Sequence, residues 1–210
     1  MGVKERRERE KERRRNEIID AAERVFFSKG YIQATMDEVA RDAELSKGAI
    51  YLYFRSKEEL YLAINHRGLT LLEAMFAAVM AEESKGIELV RCIGEAYVEF
   101  SERHPDYFNA QIYYEAQGVQ LNQADPHARA CMEQGQKVLS HVVQAIQIGI
   151  HDGSVGTDTD PMELAIQLWG TTMGLIQLYH KRDVMPMFQM IQADDLIPHY
   201  FDLVEAALST

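Results

Sequence analysis

Cysteine is scarce in this chain: there are two, Cys92 and Cys131, far apart in sequence. A pair so placed offers neither a disulfide framework nor the close spacing of a zinc site, and it fits a reducing compartment, the cytoplasm. Long hydrophobic runs are missing as well. The most apolar stretch, Leu69 to Ala81, contains Thr70 and Glu73 and is too short to cross a bilayer, so no membrane partner is expected. The first residues are charged rather than apolar, which excludes a signal peptide. No stretch shows the alternation that marks a strand. Catalytic signatures are also lacking. There is no Gly-x-Ser-x-Gly elbow, phosphate loop, dinucleotide fingerprint or His-Glu-x-x-His. The seven histidines, His66, His104, His127, His141, His151, His180 and His199, are dispersed without an i, i+4 pair and read as surface or core residues. The glycines from Gly149 to Gly156 read as caps and loop between helices. An enzyme is therefore not expected, and neither a metal nor a cofactor is implied.

What the chain does have is apolar content, 47% of 210 residues, enough for a sizeable core. Its net charge of −11 argues at first against a nucleic-acid partner. The charge is unevenly spread, however. Residues 1–67 hold 15 Lys and Arg against 13 Asp and Glu, whereas residues 68–210 hold 7 against 20. A slightly basic end on an acidic body is compatible with one end facing DNA, because salt screens charges beyond about 10 Å.

The most informative stretch runs from Thr35 to Lys57. Thr35 followed by Glu38 forms a capping box, which predicts a helix from Met36 that buries Met36, Val39 and Ala40 on one face. Ala43 to Leu45 then turn the chain, and Ser46 is the next N-cap. This is the turn length of a helix-turn-helix. The second helix, expected over Lys47–Phe54, buries Ile50 and Phe54 and presents Lys47, Gly48, Ala49, Tyr51 and Tyr53. Its Ser-Lys-Gly-Ala start is narrow and has free N–H groups that favour an anion, and the lysine and tyrosine hydroxyls suit phosphates and base edges. Ser56 with Glu59 reads as another capping box. It leaves Lys57 in the first turn of a third helix, where an anionic partner would account for it.

The stretch from Ile18 to Leu62 resembles the tetracycline-repressor (TetR) family of bacterial regulators. The likeness is carried by Ile18-Ile19-Asp20-Ala21-Ala22, Phe26-Phe27-Ser28-Lys29-Gly30-Tyr31, Thr35, Val39-Ala40 and Ser46-Lys47-Gly48-Ala49-Ile50-Tyr51-Leu52-Tyr53-Phe54-Arg55-Ser56-Lys57-Glu58-Glu59-Leu60. The family often has a histidine just before the position of Phe54. This chain has Leu52-Tyr53 there, which bears on the bases read and leaves the docking mode unaffected. Candidate DNA-binding residues are Thr35, Ser46, Lys47, Gly48, Ala49, Tyr51, Tyr53 and Lys57.

Residues 1–12 form a charged extension ahead of a helix from about Arg13 to Lys29, which Gly30 ends. The extension reads as solvated and frayed, or as an arm that touches DNA, with Glu5–Arg9 and Glu10–Arg14 spaced to pair along a helix. A long helix follows from Lys57 towards Ala81. Beyond it the turn chemistry predicts helices over Gly86–Glu102, Pro105–Gln117 and Pro126–Ile150, one starting at Asp160-Pro161, and a last one opened by Asp194. The expected architecture is all-α with about nine helices, a three-helix DNA-binding domain at 13–67 and a helical effector-binding and dimerisation domain at 68–210.

The helix after Pro161 is apolar nearly all round and needs cover on more than one side. Two-fold recognition of DNA also requires two copies. The resemblance implies dimerisation through the last two long helices, with Ile166, Gly170, Met173, Gly174, Phe201, Val204 and Leu208 as candidate interface residues. It also implies a small-molecule effector. Phe100, His104, Tyr107, Tyr114, His141, Trp169 and Met173 are candidate pocket walls, although each is as readily explained as core. The expected function is a ligand-responsive homodimeric repressor that binds a palindromic double-stranded DNA operator and is released by an inducer.

Overall fold

The computed structural model describes residues 2–116 and 125–209, and among these it is built of α-helices with no strand. Nine helices follow in order: α1 (Val3–Lys29), α2 (Met36–Asp42), α3 (Lys47–Tyr51), α4 (Lys57–Met80), α5 (Gly86–Arg103), α6 (Pro105–Ala116), α7 (Pro126–Asp152), α8 (Pro161–Tyr179) and α9 (Leu196–Leu208). Two short 3-10 turns, Pro186–Met190 and Ala193–Asp195, lie between α8 and α9. The last helix thus starts two residues later than Asp194, because the chain first tightens into one of these turns. Gln117, the expected end of α6, lies outside the described residues.

The helices form two compact units. One comprises the described residues of 1–69 and 106–133, the other 70–105 and 134–209. The sequence placed the boundary once, between 67 and 68. Packing instead returns α6 and the start of α7 to the N-terminal unit. Both α4 and α7 run from one unit into the other.

In the first unit Ile18, Ala22, Phe26, Val39, Ile50, Phe54, Leu60 and Ile64 make one buried cluster, joined by Ala110 of α6. The Tyr61 hydroxyl donates to the Ala110 carbonyl at 2.8 Å. Helix α1 begins well before Arg13. The Gly2 N–H donates to Glu5 at 3.0 Å, and Arg13 pairs with Glu10 and Glu17 at 3.5 and 3.1 Å. The charged residues are therefore helical and exposed, and Glu10 meets Arg13 rather than Arg14. Gly30, with φ of 76°, stops α1 and donates its N–H to Phe26 O at 2.8 Å.

In the second unit α5 is stitched to the end of α7. The free N–H groups of Gly86 and Ile87 are taken by Asp152 Oδ2 at 2.8 Å and Ser154 Oγ at 3.2 Å. A Cβ on Gly86 would stand 1.9 Å from Gly149 N, so this crossing requires glycine. Gly149 itself lies inside α7 rather than in the following loop, since α7 continues to Asp152. Asp160 caps α8 by accepting from the N–H groups of Met162 and Glu163 at 2.9 and 3.2 Å, with Pro161 in the first turn. No described helix is long and apolar enough to cross a membrane.

Candidate nucleic-acid interface

The interface is built on α2, a turn and α3. Thr35 Oγ1 accepts from Glu38 N–H at 3.3 Å, and Glu38 Oε2 accepts from Thr35 N–H at 3.0 Å, the reciprocal cap expected from the sequence. Lys29 also donates to Glu38. That charged bond comes first, and the Thr35 bonds second, in holding the Glu38 carboxyl down to about 2. The end of α2 is closed by paired bonds, Leu45 N–H to Ala40 O at 2.9 Å and Glu44 N–H to Arg41 O at 3.2 Å. This closure puts Glu44 at φ 54°, a left-handed conformation that a residue with a side chain adopts at a cost.

Ser46 then caps α3, its Oγ accepting from Ala49 N–H at 3.2 Å. Helix α3 is shorter than expected. It ends at Tyr51, after which the Tyr53 N–H takes Ile50 O at 2.9 Å and the Phe54 N–H takes the same oxygen at 3.0 Å. This tightened last turn still buries Ile50 and Phe54 completely. Ser46, Lys47 and Gly48 are exposed, Ala49 is half-buried, and Tyr51 is 42% exposed. A Cβ at Gly48 would meet nothing within 4 Å, so its own fold does not demand glycine. Lys47 Nζ lies 2.7 Å from Asp37 Oδ1, a partner the sequence reading missed. The hydrogen bond to Asp37 raises the Lys47 pKa.

Two expected contacts change meaning. Tyr53 is half-buried against the core cluster. Lys57 needs no external anion, because its ammonium donates to the carbonyls of Ala34 and Ile32 at 2.7 and 3.2 Å and sits 4.4 Å over the Tyr31 ring. Lys57 therefore holds the loop before α2 in place. In the same helix Glu59 Oε2 accepts from the Arg55 N–H, so its cap reaches one residue beyond Ser56.

The expected effector residues are divided between the two units. Tyr107 and Tyr114 belong to the first unit. Tyr107 donates to Glu23 at 2.7 Å and lies against Gly68, whose Cβ position is 3.0 Å from its ring. Phe100 is buried beside His104, and His141 Nε2 pairs with Glu73 at 3.1 Å. Trp169 does line a cavity in the second unit, among Phe76, Tyr97, Val142, Thr172 and Phe201. Arg91, also at this cavity, had a readable signal in its i, i+4 spacing to Glu95, with which it pairs at 3.0 Å.

The expected dimer residues divide as well. Phe201 and Leu208 are buried within their own unit and Val204 faces the cavity, so these three are core rather than free surface. On α8, Ile166 is 48% exposed, Gly170 is exposed and Met173 is half-buried. Met162, Ile166, Gly170, Gly174 and Leu178 recur every fourth residue, and Cβ atoms at the two glycines would meet nothing.

Residues 18–64 match the sequence model for bacterial regulatory proteins of the tetR family, and residues 90–197 match the tetracyclin repressor-like C-terminal domain. The HTH-type transcriptional activator FasR of Mycolicibacterium smegmatis is 35% identical over 92 residues, 44% of this chain. The match spans 42% of FasR, less than half of that relative. Among solved structures, AibR in complex with isovaleryl coenzyme A and operator DNA superposes with a TM-score of 0.68 at 18% identity, over 90% of this chain and 97% of that one. FadR from Bacillus subtilis in complex with stearoyl-CoA gives 0.62 at 18% identity, over 87% and 95%. At this identity the two structures speak for the fold alone. With its helix-turn-helix and its second helical unit both accounted for by family models, the chain belongs to the TetR family of bacterial transcriptional regulators.

Proposed function

We propose that the chain is a cytoplasmic, ligand-responsive repressor that binds a palindromic operator as a homodimer and leaves it when a small molecule occupies the second unit. The observation that carries this reading is the tip of α3, where Ser46, Lys47 and Gly48 are exposed and, among the described residues, nothing comes within 4 Å of where a Gly48 side chain would start. The backbone there can reach a phosphate or a base edge directly. In this reading residues 13–67 are the DNA-reading module, with Thr35, Ser46, Lys47, Gly48, Ala49 and Tyr51 on the DNA side, and residues 68–210 bind effector and partner copy.

One short helix reads few base pairs, so two copies are needed, spaced for successive major grooves about 34 Å apart. The stripe on α8 from Met162 to Leu178 and the exposed Leu203 of α9 supply apolar surface left uncovered within one chain. Effector binding shifts the population towards a conformer whose two α3 helices no longer fit the grooves. A gel shift with the DNA upstream of the protein's own coding region, run beside sedimentation, tests this. A dimer that retards this DNA is expected; a monomer at micromolar concentration, or no retardation, refutes it.

A further inference from the structure

The cavity of the second unit has a free volume of about 50 Å³ and walls that are almost entirely hydrocarbon. The lining side chains that carry polar atoms are Tyr97, Trp169, Thr172, Tyr200, Arg91 and Glu205. The Thr172 and Tyr200 hydroxyls lie 3.4 Å apart on one wall. Thr172 donates to Leu168 O at 2.7 Å, so its oxygen is left to accept, while Tyr200 can donate. Elsewhere on the lining, Arg91 and Glu205 are its two charged residues. Arg91 is already engaged by Glu95 at 3.0 Å, Asp202 at 2.8 Å and Glu205 at 2.9 Å. Glu95 and Asp202 lie beyond the lining itself, and one guanidinium against these three carboxylates leaves the surroundings of Arg91 doubly negative.

Building on the reading of the second unit as effector-binding, we propose that this cavity takes a neutral, mainly hydrocarbon molecule with one hydroxyl or carbonyl oxygen, and that the acidic rim selects against carboxylates and coenzyme A thioesters. An anion entering here gives up its water and finds no uncommitted cation, beside carboxylates that repel it. A single neutral oxygen is matched by the Thr172–Tyr200 pair. The free space is far below the roughly 300 Å³ of an occupied ligand site, so entry displaces Trp169 and Phe201. A Cβ on Gly94 would lie 2.4 Å from the Phe201 ring, so movement of Phe201 is felt at the contact of α5 with α9.

Trp169 is the sole tryptophan, so its emission reports on this cavity alone. The full chain is titrated with 1-octanol, octanoate and octanoyl-CoA. Octanol is expected to change the emission saturably, with the two anions about tenfold or more weaker, as a like-charged rim dictates. In Asp202→Asn/Glu205→Gln, one exposed position and one half-buried at the cavity, the gap between octanol and octanoate is expected to close to about threefold or less. Anions binding as tightly as octanol, or a gap unchanged in the double variant, overturn the charge selectivity and leave the cavity as the effector site. No response of Trp169 to any of the three, in protein that melts normally, overturns the cavity and the effector reading together.

Discussion

Lys47 Nζ and Asp37 Oδ1 lie 2.7 Å apart across the helix-turn-helix, joining the first turn of α3 to that of α2. Both side chains are more than half exposed, and such pairs contribute little to stability. A phosphate can therefore displace Asp37, but the carboxylate stays close to the DNA it has yielded to. Asp37→Asn is expected to tighten binding to duplex DNA by about two- to tenfold at low salt, with the gain shrinking as salt rises. Fluorescence anisotropy at two salt concentrations measures it. Weaker binding would show that Asp37 orients Lys47 usefully.

Gly48 separates fold from function. Among the described residues nothing stands within 4 Å of where its side chain would start, and alanine is the better helix former by up to about 1 kcal/mol. Gly48→Ala should therefore melt no lower than the parent, while its added methyl holds DNA off the α3 backbone and weakens binding by about tenfold or more. Parental affinity would mean that the duplex does not approach Gly48.

Glu44 occupies a left-handed conformation at the closure of α2. Glycine adopts it without the Cβ penalty, so Glu44→Gly is expected to stabilise the protein by about 0.5–1 kcal/mol in urea unfolding. A loss of that size would instead show that the glutamate side chain has a stabilising role of its own.

Glu38 links α1 to the start of α2, and it should make the fold acid-sensitive. Its carboxyl is held at about 2, against an ordinary value of 4.5, by Lys29 first and Thr35 second. A carboxyl whose pKa falls on folding adds stability that is complete above the unfolded value and lost as pH drops from 4.5 through 2. Glu38→Gln should therefore unfold at lower urea than the parent near pH 7, and the two midpoints should converge near pH 2. A constant difference across that range would contradict the linkage.

The local fold was legible wherever one side chain satisfies a nearby backbone group. Thr35, Ser46 and Asp160 cap the helices that their sequence positions announced. What stayed hidden depends on long-range packing. Phe201 and Leu208 carry the same apolar stripe whether that face meets its own unit or a second copy, and the structure turns it inward. Tyr107 and Tyr114 resemble pocket walls in sequence, yet α6 folds back on the first unit. Lys57 suggested an anion because of its place in a helix, whereas two carbonyls 23 and 25 residues away receive it. Residues 4–12 read as extension because they are exposed; i, i+3 and i, i+4 ion pairs follow in α1 from Glu10 onward.

That α3 is the DNA-reading element is tested most directly by the affinity of Lys47→Ala and Tyr51→Ala for the DNA upstream of the coding region. Both side chains are exposed, so melting and sedimentation should match the parent. Binding should fall by about a hundredfold or more in each, since a two-fold dimer loses every contact twice. Folded, dimeric variants that hold this DNA with parental affinity would contradict the assignment.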